Sequence, residues 1–210
     1  MTFRDPTQPP RPMPVGPREW DEKGIQVERP NIAFRQAIGV DLSYSEGTGD
    51  FAAIIPVADI GGIYYVRHVY RFRRDILHAR RYLAEARRIF VGDMVSYISG
   101  AERAVLQQLA LEAKDRDGRV YAPVYIAGMI AKGDIVLRAQ RTAELWQEGM
   151  IRLPKERLEW VRTLEEELQG FVNSGSRNDQ LSALISAVDY LEVGRASSNV
   201  EMGTLRRTRT

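Results

Sequence analysis

Residues 37–72, AIGVDLSYSEGTGDFAAIIPVADIGGIYYVRHVYRF, decide the fold. Three runs rich in β-branched, aromatic and small apolar residues, 37–43, 51–59 and 63–72, are separated by Gly47-Thr48-Gly49 and by Gly61-Gly62, the punctuation of tight reversals. This pattern predicts three consecutive strands in an antiparallel meander. In the first run, period-two alternation puts Ile38, Val40 and Leu42 on one face and Gly39, Asp41 and Ser43 on the other. A carboxylate inside a strand is costly unless it is paired, hydrogen-bonded or bound to a cation, and the small residues beside Asp41 leave it room. Asp50 follows the glycine turn and opens the partner strand. Both acids also fit a simpler role as turn residues bonded to nearby amides, and the segment taken alone favours that role.

Downstream, the apolar spacing lengthens to that of helices. Ile76, Leu83, Ala86 and Phe90 predict a helix over 75–90, a strand follows over 94–99, and Ala104, Val105, Leu109 and Ala113 mark a second helix from about 101. A strand over 124–128, a helix over 137–148, a strand over 150–153 and helices over 155–169 and 178–193 complete a mixed α/β domain at 35–194. Seven of the ten prolines fall in the first thirty residues, where fixed φ and missing donors oppose helix and sheet alike; 1–34 therefore reads as an arm or interdomain linker. Residues 195–210, with Arg206, Arg207 and Arg209, read as a flexible basic tail.

Composition narrows the chemistry. With 30 Lys+Arg against 28 Asp+Glu over 210 residues the net charge is +2, so any attraction to a polyanion must come from local patches. The absence of cysteine excludes disulfides, thiolate zinc sites and a Cys nucleophile. No run approaches the roughly 18 apolar residues of a membrane span, and no membrane association is expected. Nor is there a G-x-x-x-x-G-K-[ST] phosphate loop, so this chain as written houses no P-loop motor.

Two further acids sit where strands hand over to helices. Glu102 lies two residues past Gly100, and Asn178-Asp179 opens the helix whose inward stripe is Leu181, Leu184, Ile185, Val188 and Leu191. Helix capping and the helix dipole account for either one taken singly. Taken in order, Ile38-Gly39-Val40-Asp41, Ser99-Gly100-Ala101-Glu102, Arg138-Ala139, Gly149-Met150-Ile151-Arg152-Leu153-Pro154 and Asn178-Asp179-Gln180-Leu181-Ser182-Ala183 resemble the nuclease domain of tailed-phage terminase large subunits, a ribonuclease H-like family. The resemblance spans about 37–193. Two departures stand out: Asn178 and Ser182 replace acids of the family's Asp-Asp-x-x-Asp-Ala helix, and Ile135 stands where a lysine is common, with Lys132 close by in the same loop.

The resemblance implies a ribonuclease H-like mixed sheet and a divalent-metal-dependent DNA endonuclease that cuts concatemeric viral DNA during genome packaging. Asp41, Glu102 and Asp179 would be catalytic, and these three with Asp50 and Asn178 would hold two Mg²⁺ or Mn²⁺ ions, since hard cations favour oxygen donors. It further implies double-stranded DNA, a packaging ATPase domain or subunit, the small terminase and the portal as partners, in the cytoplasm of the host cell. For gripping DNA, Arg80, Arg81, Arg87 and Arg88 recur at a seven-residue step that nearly returns to one helix face, and Lys132, Arg138 and Arg141 form a second basic group. A solvated helix face explains the first group equally well. Glu165-Glu166-Glu167 reads as the wet side of a helix, and Trp146 and Trp160 as core anchors. Two alternatives stand beside this reading: another ribonuclease H-like nuclease such as a junction resolvase, and a non-catalytic DNA-binding or assembly module whose site has decayed.

Overall fold

The computed structural model describes residues 18–20, 26–28, 34–42, 51–73, 76–98, 100–114, 117–130, 135–156, 158–170 and 179–207; of 18–20, 26–28, 76, 100–102, 170 and 195–207 only the backbone is described. The chain divides into two units, 1–32 and 33–210. In the first, β1 (Arg18–Trp20) and β2 (Gln26–Glu28) pair antiparallel, so the proline-rich segment does contain a short ladder. The rest of this section concerns the second unit.

The meander forms as expected, from β3 (Phe34–Asp41), β4 (Ala52–Ile60) and β5 (Ile63–Val66). Gly61 and Gly62, with φ of 63° and 93°, supply the left-handed turn between β4 and β5. The predicted third strand, 63–72, instead breaks in two: β5 pairs with Val57–Ile60 and β6 (Tyr70–Phe72) with Ala52–Ile54. The break lies opposite Pro56. Its carbonyl accepts Arg67 N–H at 2.9 Å, and in an antiparallel ladder its own N–H would point the same way; lacking that donor, the ladder interrupts there.

Then follow α1 (Ile76–Ile89), β7 (Asp93–Ile98), α2 (Gly100–Leu109), β8 (Ala113–Lys114), β9 (Val120–Tyr121), β10 (Ala127–Ile130), α3 (Ile135–Gln147), β11 (Ile151–Arg152), α4 (Glu159–Gly170) and α5 (Asp179–Arg207). Among the described residues the main sheet has seven strands in the order β10-β7-β3-β4-β5-β11, with β6 also on β4. β7 runs parallel to β3, β10 parallel to β7 and β11 parallel to β5, so the sheet is mixed, with its antiparallel meander first. Three expectations shift. The strand expected at 124–128 falls at 127–130, because Val124 is buried in the core and gives its N–H to Leu109. Ala113 belongs to β8, paired with Tyr121, and not to the preceding helix. The last helix, expected over 178–193, runs from Asp179 to Arg207.

Alternation along β3 and β4 splits the core between the two faces of the sheet. Ile38, Val40, Leu42, Ile54 and Phe72 pack with Leu83, Ala86 and Phe90 of α1, while Ala37, Ala53, Ile55 and Val57 pack with Ala183, Leu184, Ala187 and Val188 of α5. Among the described residues no helix is long and apolar enough to cross a membrane.

His68 lies edge-on to Tyr70 and Trp160, with ring centroids 4.5 and 5.6 Å away, which gives Trp160 the anchoring role expected of it. Burial among these rings pushes the imidazole down from 6.5 to about 4. The unfolded chain therefore takes up a proton that the folded one refuses as pH falls from 6.5 to 4, and stability drops across that window by at most about 1.4 kcal/mol per pH unit. His68→Phe, which keeps a ring but cannot protonate, should show a flatter decline of melting temperature between pH 6.5 and 4.5 than the wild type. Parallel curves would mean that other groups control the acid limb.

Candidate active site

Gly39 sets the geometry. A Cβ built on it would lie 1.9 Å from the carbonyl oxygen of Ala183, so only glycine lets α5 come this close to β3. Gly39 and Asp41 share a face, and Asp179 lies one helical turn before Ala183; this crossing therefore carries Asp179 toward the Asp41 end of β3. Asp41 is half-buried and Asp179 buried, at 7% exposure. Asp179 accepts the backbone N–H of Phe51 at 3.2 Å, and Phe51 lies two residues before Ala53, the strand partner of Asp41.

The start of α5 is fixed by a residue that sequence reasoning assigned to solvent. Glu167 of α4 accepts the Leu181 N–H at 2.9 Å and the Gln180 side-chain amide at 2.8 Å, so one carboxylate caps the helix next to Asp179. The signal was present in the helical period: Glu167 follows Leu164 by three positions and adjoins Leu168, both of which pack inward.

Glu102 is the third residue of α2, which begins just past β7; β7 is parallel to β3, so its C-terminal end is also the Asp41 end of the sheet. The Glu102 side chain, and Asp50, Asn178 and Lys132 altogether, lie outside the described residues. Among the described residues no group of three or more His, Cys, Asp or Glu side chains is assembled to hold a metal. The acids carried to this end of the sheet, Asp41 and Asp179, are hard oxygen donors of the kind Mg²⁺ and Mn²⁺ take. His68 is enclosed by aromatic rings and His78 is an exposed residue of α1.

No protein-family model matches the sequence, and no curated protein matches it. Solved structures do. The large terminase nuclease of the thermophilic phage G20c superposes with a TM-score of 0.53 at 13% identity, covering 77% of this chain and 83% of that one. The same nuclease with bound zinc gives 0.52 at 16% identity, over 77% and 82%. The chain has the fold of a large-terminase nuclease. The human cytomegalovirus terminase nuclease domain is also similar, at 13% identity and a TM-score of 0.44, over 72% of this chain and 82% of that one.

On this terminase-nuclease fold the basic residues separate. Arg80 departs from the exposed face expected of it: it is 3% exposed and donates to the carbonyls of Leu109 and Leu111 at 3.1 and 2.8 Å and to that of Gln108, satisfying the C-terminal end of α2. The reason lies in its spacing, four residues after Ile76 and three before Leu83, which sets it on the inward stripe. Arg81, Arg87 and Arg88 are exposed, and Arg87 and Arg88 occupy the last turn of α1. Arg141 is paired with Glu192 and Glu144.

Arg138 lies in the first turn of α3 with its guanidinium over the Tyr97 ring, 4.4 Å from the centroid. Its Nε and Nη1 are buried and meet no acceptor among the described residues. Tyr97 in turn donates its hydroxyl to Asp189. Burial first, and then that hydrogen bond, hold the Tyr97 phenol above its usual range, and burial raises the Asp189 carboxyl.

Proposed function

We propose that this chain is a divalent-metal-dependent DNA endonuclease of viral genome packaging, cutting concatemeric DNA as a terminase large-subunit nuclease. The observation that carries the reading is the passage of α5 over Gly39, which brings Asp179 to the Asp41 end of the sheet, where Glu102 also begins its helix. On the fold of a terminase nuclease, this supports reading the three acids as one site.

Asp41, Glu102 and Asp179, with Asp50 and Asn178, would hold two Mg²⁺ or Mn²⁺ ions. When bound, such cations supply the positive charge that stabilises the attacking water and the departing oxygen of an in-line phosphodiester displacement. The chain's own contribution is positional. Phe51 N–H and the Glu167 cap orient Asp179, and Gly39 sets its distance from Asp41. Arg138, held on the Tyr97 ring, and Arg81, Arg87, Arg88, Lys132 and Arg141 would add contacts blind to sequence, as packaging DNA of any sequence requires. A packaging ATPase, as domain or separate subunit, would supply the motor, with the small terminase and portal completing the assembly in the host cell.

Incubation with supercoiled plasmid tests this. The expected result is nicking and linearisation in Mn²⁺ or Mg²⁺ and none in EDTA. DNA binding without cutting under any divalent cation would leave the non-catalytic packaging module in its place, the reading favoured by Asn178 and Ser182 standing where relatives carry acids.

A further inference from the structure

The last turn of α1 lies away from the acids in two respects, face and end of the sheet. Asp41 pairs with Ala53 and Ala53 with Arg71 in one row across three strands, so β6 runs parallel to β3 and reaches the Asp41 end. α1 starts there, packs on the face opposite α5, and leads into β7, whose first residue Asp93 pairs with Ala37, four residues back along β3 from Asp41. Its 14 residues, rising 1.5 Å each, carry the chain about 20 Å from the start of the helix.

At this far end α1 and residues 121–124 frame a pocket of about 350 Å³. Three arginines line it, Arg80, Arg87 and Arg88, beside an apolar wall of Ala84, Pro123 and Val124, and none of the described lining residues is acidic. Arg80 is held by the carbonyls of Gln108, Leu109 and Leu111, which are neutral and leave its charge uncompensated. Burial pulls its guanidinium downward with no carboxylate in the balance. Arg87 and Arg88 are exposed, and among the described residues neither forms an ion pair with Glu85 or any other acid. The helix dipole accounts for basic residues in a last turn, but not for three of them around one concavity.

A concavity lined by charge of one sign focuses its potential and draws an anion. The apolar wall selects the kind. A DNA backbone is convex and strongly polar and would leave Ala84, Pro123 and Val124 unmatched. A carboxylate side chain with an apolar neighbour matches both halves of the pocket.

We propose that this pocket docks an acidic segment of a partner protein, with carboxylates on Arg87 and Arg88 and an apolar side chain on Ala84, Pro123 and Val124. Guanidinium and carboxylate fit each other in paired, charge-assisted hydrogen bonds, which gives the contact its strength. The proposal goes beyond the nuclease reading and does not depend on it. DNA that reached Arg87 and Arg88 would compete with the segment.

Fluorescence anisotropy of the full chain in EDTA tests this, with a fluorescein-labelled peptide of alternating glutamate and leucine, its glutamine analogue and a labelled DNA duplex as probes. Wild type should bind the glutamate peptide about tenfold or more tightly than the glutamine analogue, the difference that charge-assisted contacts supply. R87Q/R88Q should lose that advantage. A84W keeps every charge but fills the pocket, and should weaken the glutamate peptide by about tenfold as well. All three positions are exposed, so both variants should melt with the wild type. Peptide binding lost in R87Q/R88Q but kept in A84W would overturn the proposal, leaving attraction by surface charge alone. Equal binding of the two peptides, or none, would overturn it too, as would an A84W that weakens the duplex and spares the peptide, which would make the pocket a seat for DNA phosphate. Plasmid cleavage in Mn²⁺ scores the nuclease reading separately: a wild type that docks the peptide and does not cut overturns that reading alone, and one that cuts and does not dock overturns this proposal alone.

Discussion

Neutralising either Asp41 or Asp179 as asparagine should lower metal-dependent plasmid cleavage by on the order of 10³-fold or more while the protein stays folded. The size follows from what a carboxylate ligand contributes: a metal's stabilisation of transition-state charge is worth several kcal/mol, and about 4 kcal/mol is a thousandfold in rate. The fold should survive for a reason specific to this site. Asp179 accepts the Phe51 backbone N–H, and the carbonyl oxygen of an asparagine side chain can accept it equally. Asp41 ends β3 half-buried, where an amide of the same shape replaces it without opening a cavity. The two variants should therefore melt within about 1 kcal/mol of wild type while losing activity, and that divergence between circular-dichroism melts and nicking rates is the signature of a ligand. Wild-type rates in both variants would remove these residues from the mechanism.

Gly39→Val should unfold the protein more readily than any substitution of the acids. The Cβ position is dictated by the backbone, so no rotamer relieves a 1.9 Å approach to Ala183 O or a 2.8 Å approach to its carbonyl carbon. The only escape is for α5 to retreat from β3, separating Ala37 and Ala53 from Ala183, Leu184 and Ala187, all of them fully buried. Overpacking of this kind costs about 3 kcal/mol or more, and for a chain of this size lowers the melting temperature by roughly 6–12 °C. The same retreat withdraws Asp179 from Asp41, so cleavage should fall further than the folded fraction does when both are measured well below the melt. A denaturation midpoint equal to wild type would show that helix and strand have slack that the static packing does not reveal.

Much of this was legible in the chain itself, and the parts that were share a property. Residues 37–72 predicted the meander because period two and glycine turns are local facts, and the order Asp41, Glu102, Asp179 pointed to the nuclease fold because each acid sits beside a strand end or helix start that its own neighbours announce. The Gly39 position was visible as part of a small-residue face, though not what pressed on it. Local reading failed where the deciding neighbour is remote in sequence. Arg80 and Arg87 are one heptad apart on α1, yet Arg80 is buried and Arg87 exposed, because the end of α2 closes over only the first of them. Glu167 sits in an acidic run but caps α5, a helix that begins twelve residues later. The row Asp41–Ala53–Arg71 joins residues thirty apart through two strand registers, one of them displaced by the interruption at Pro56. A sequence determines the face a residue occupies through the periods 2 and 3.6 of its own element; what covers that face depends on register and crossing between elements, and only the assembled fold decides those.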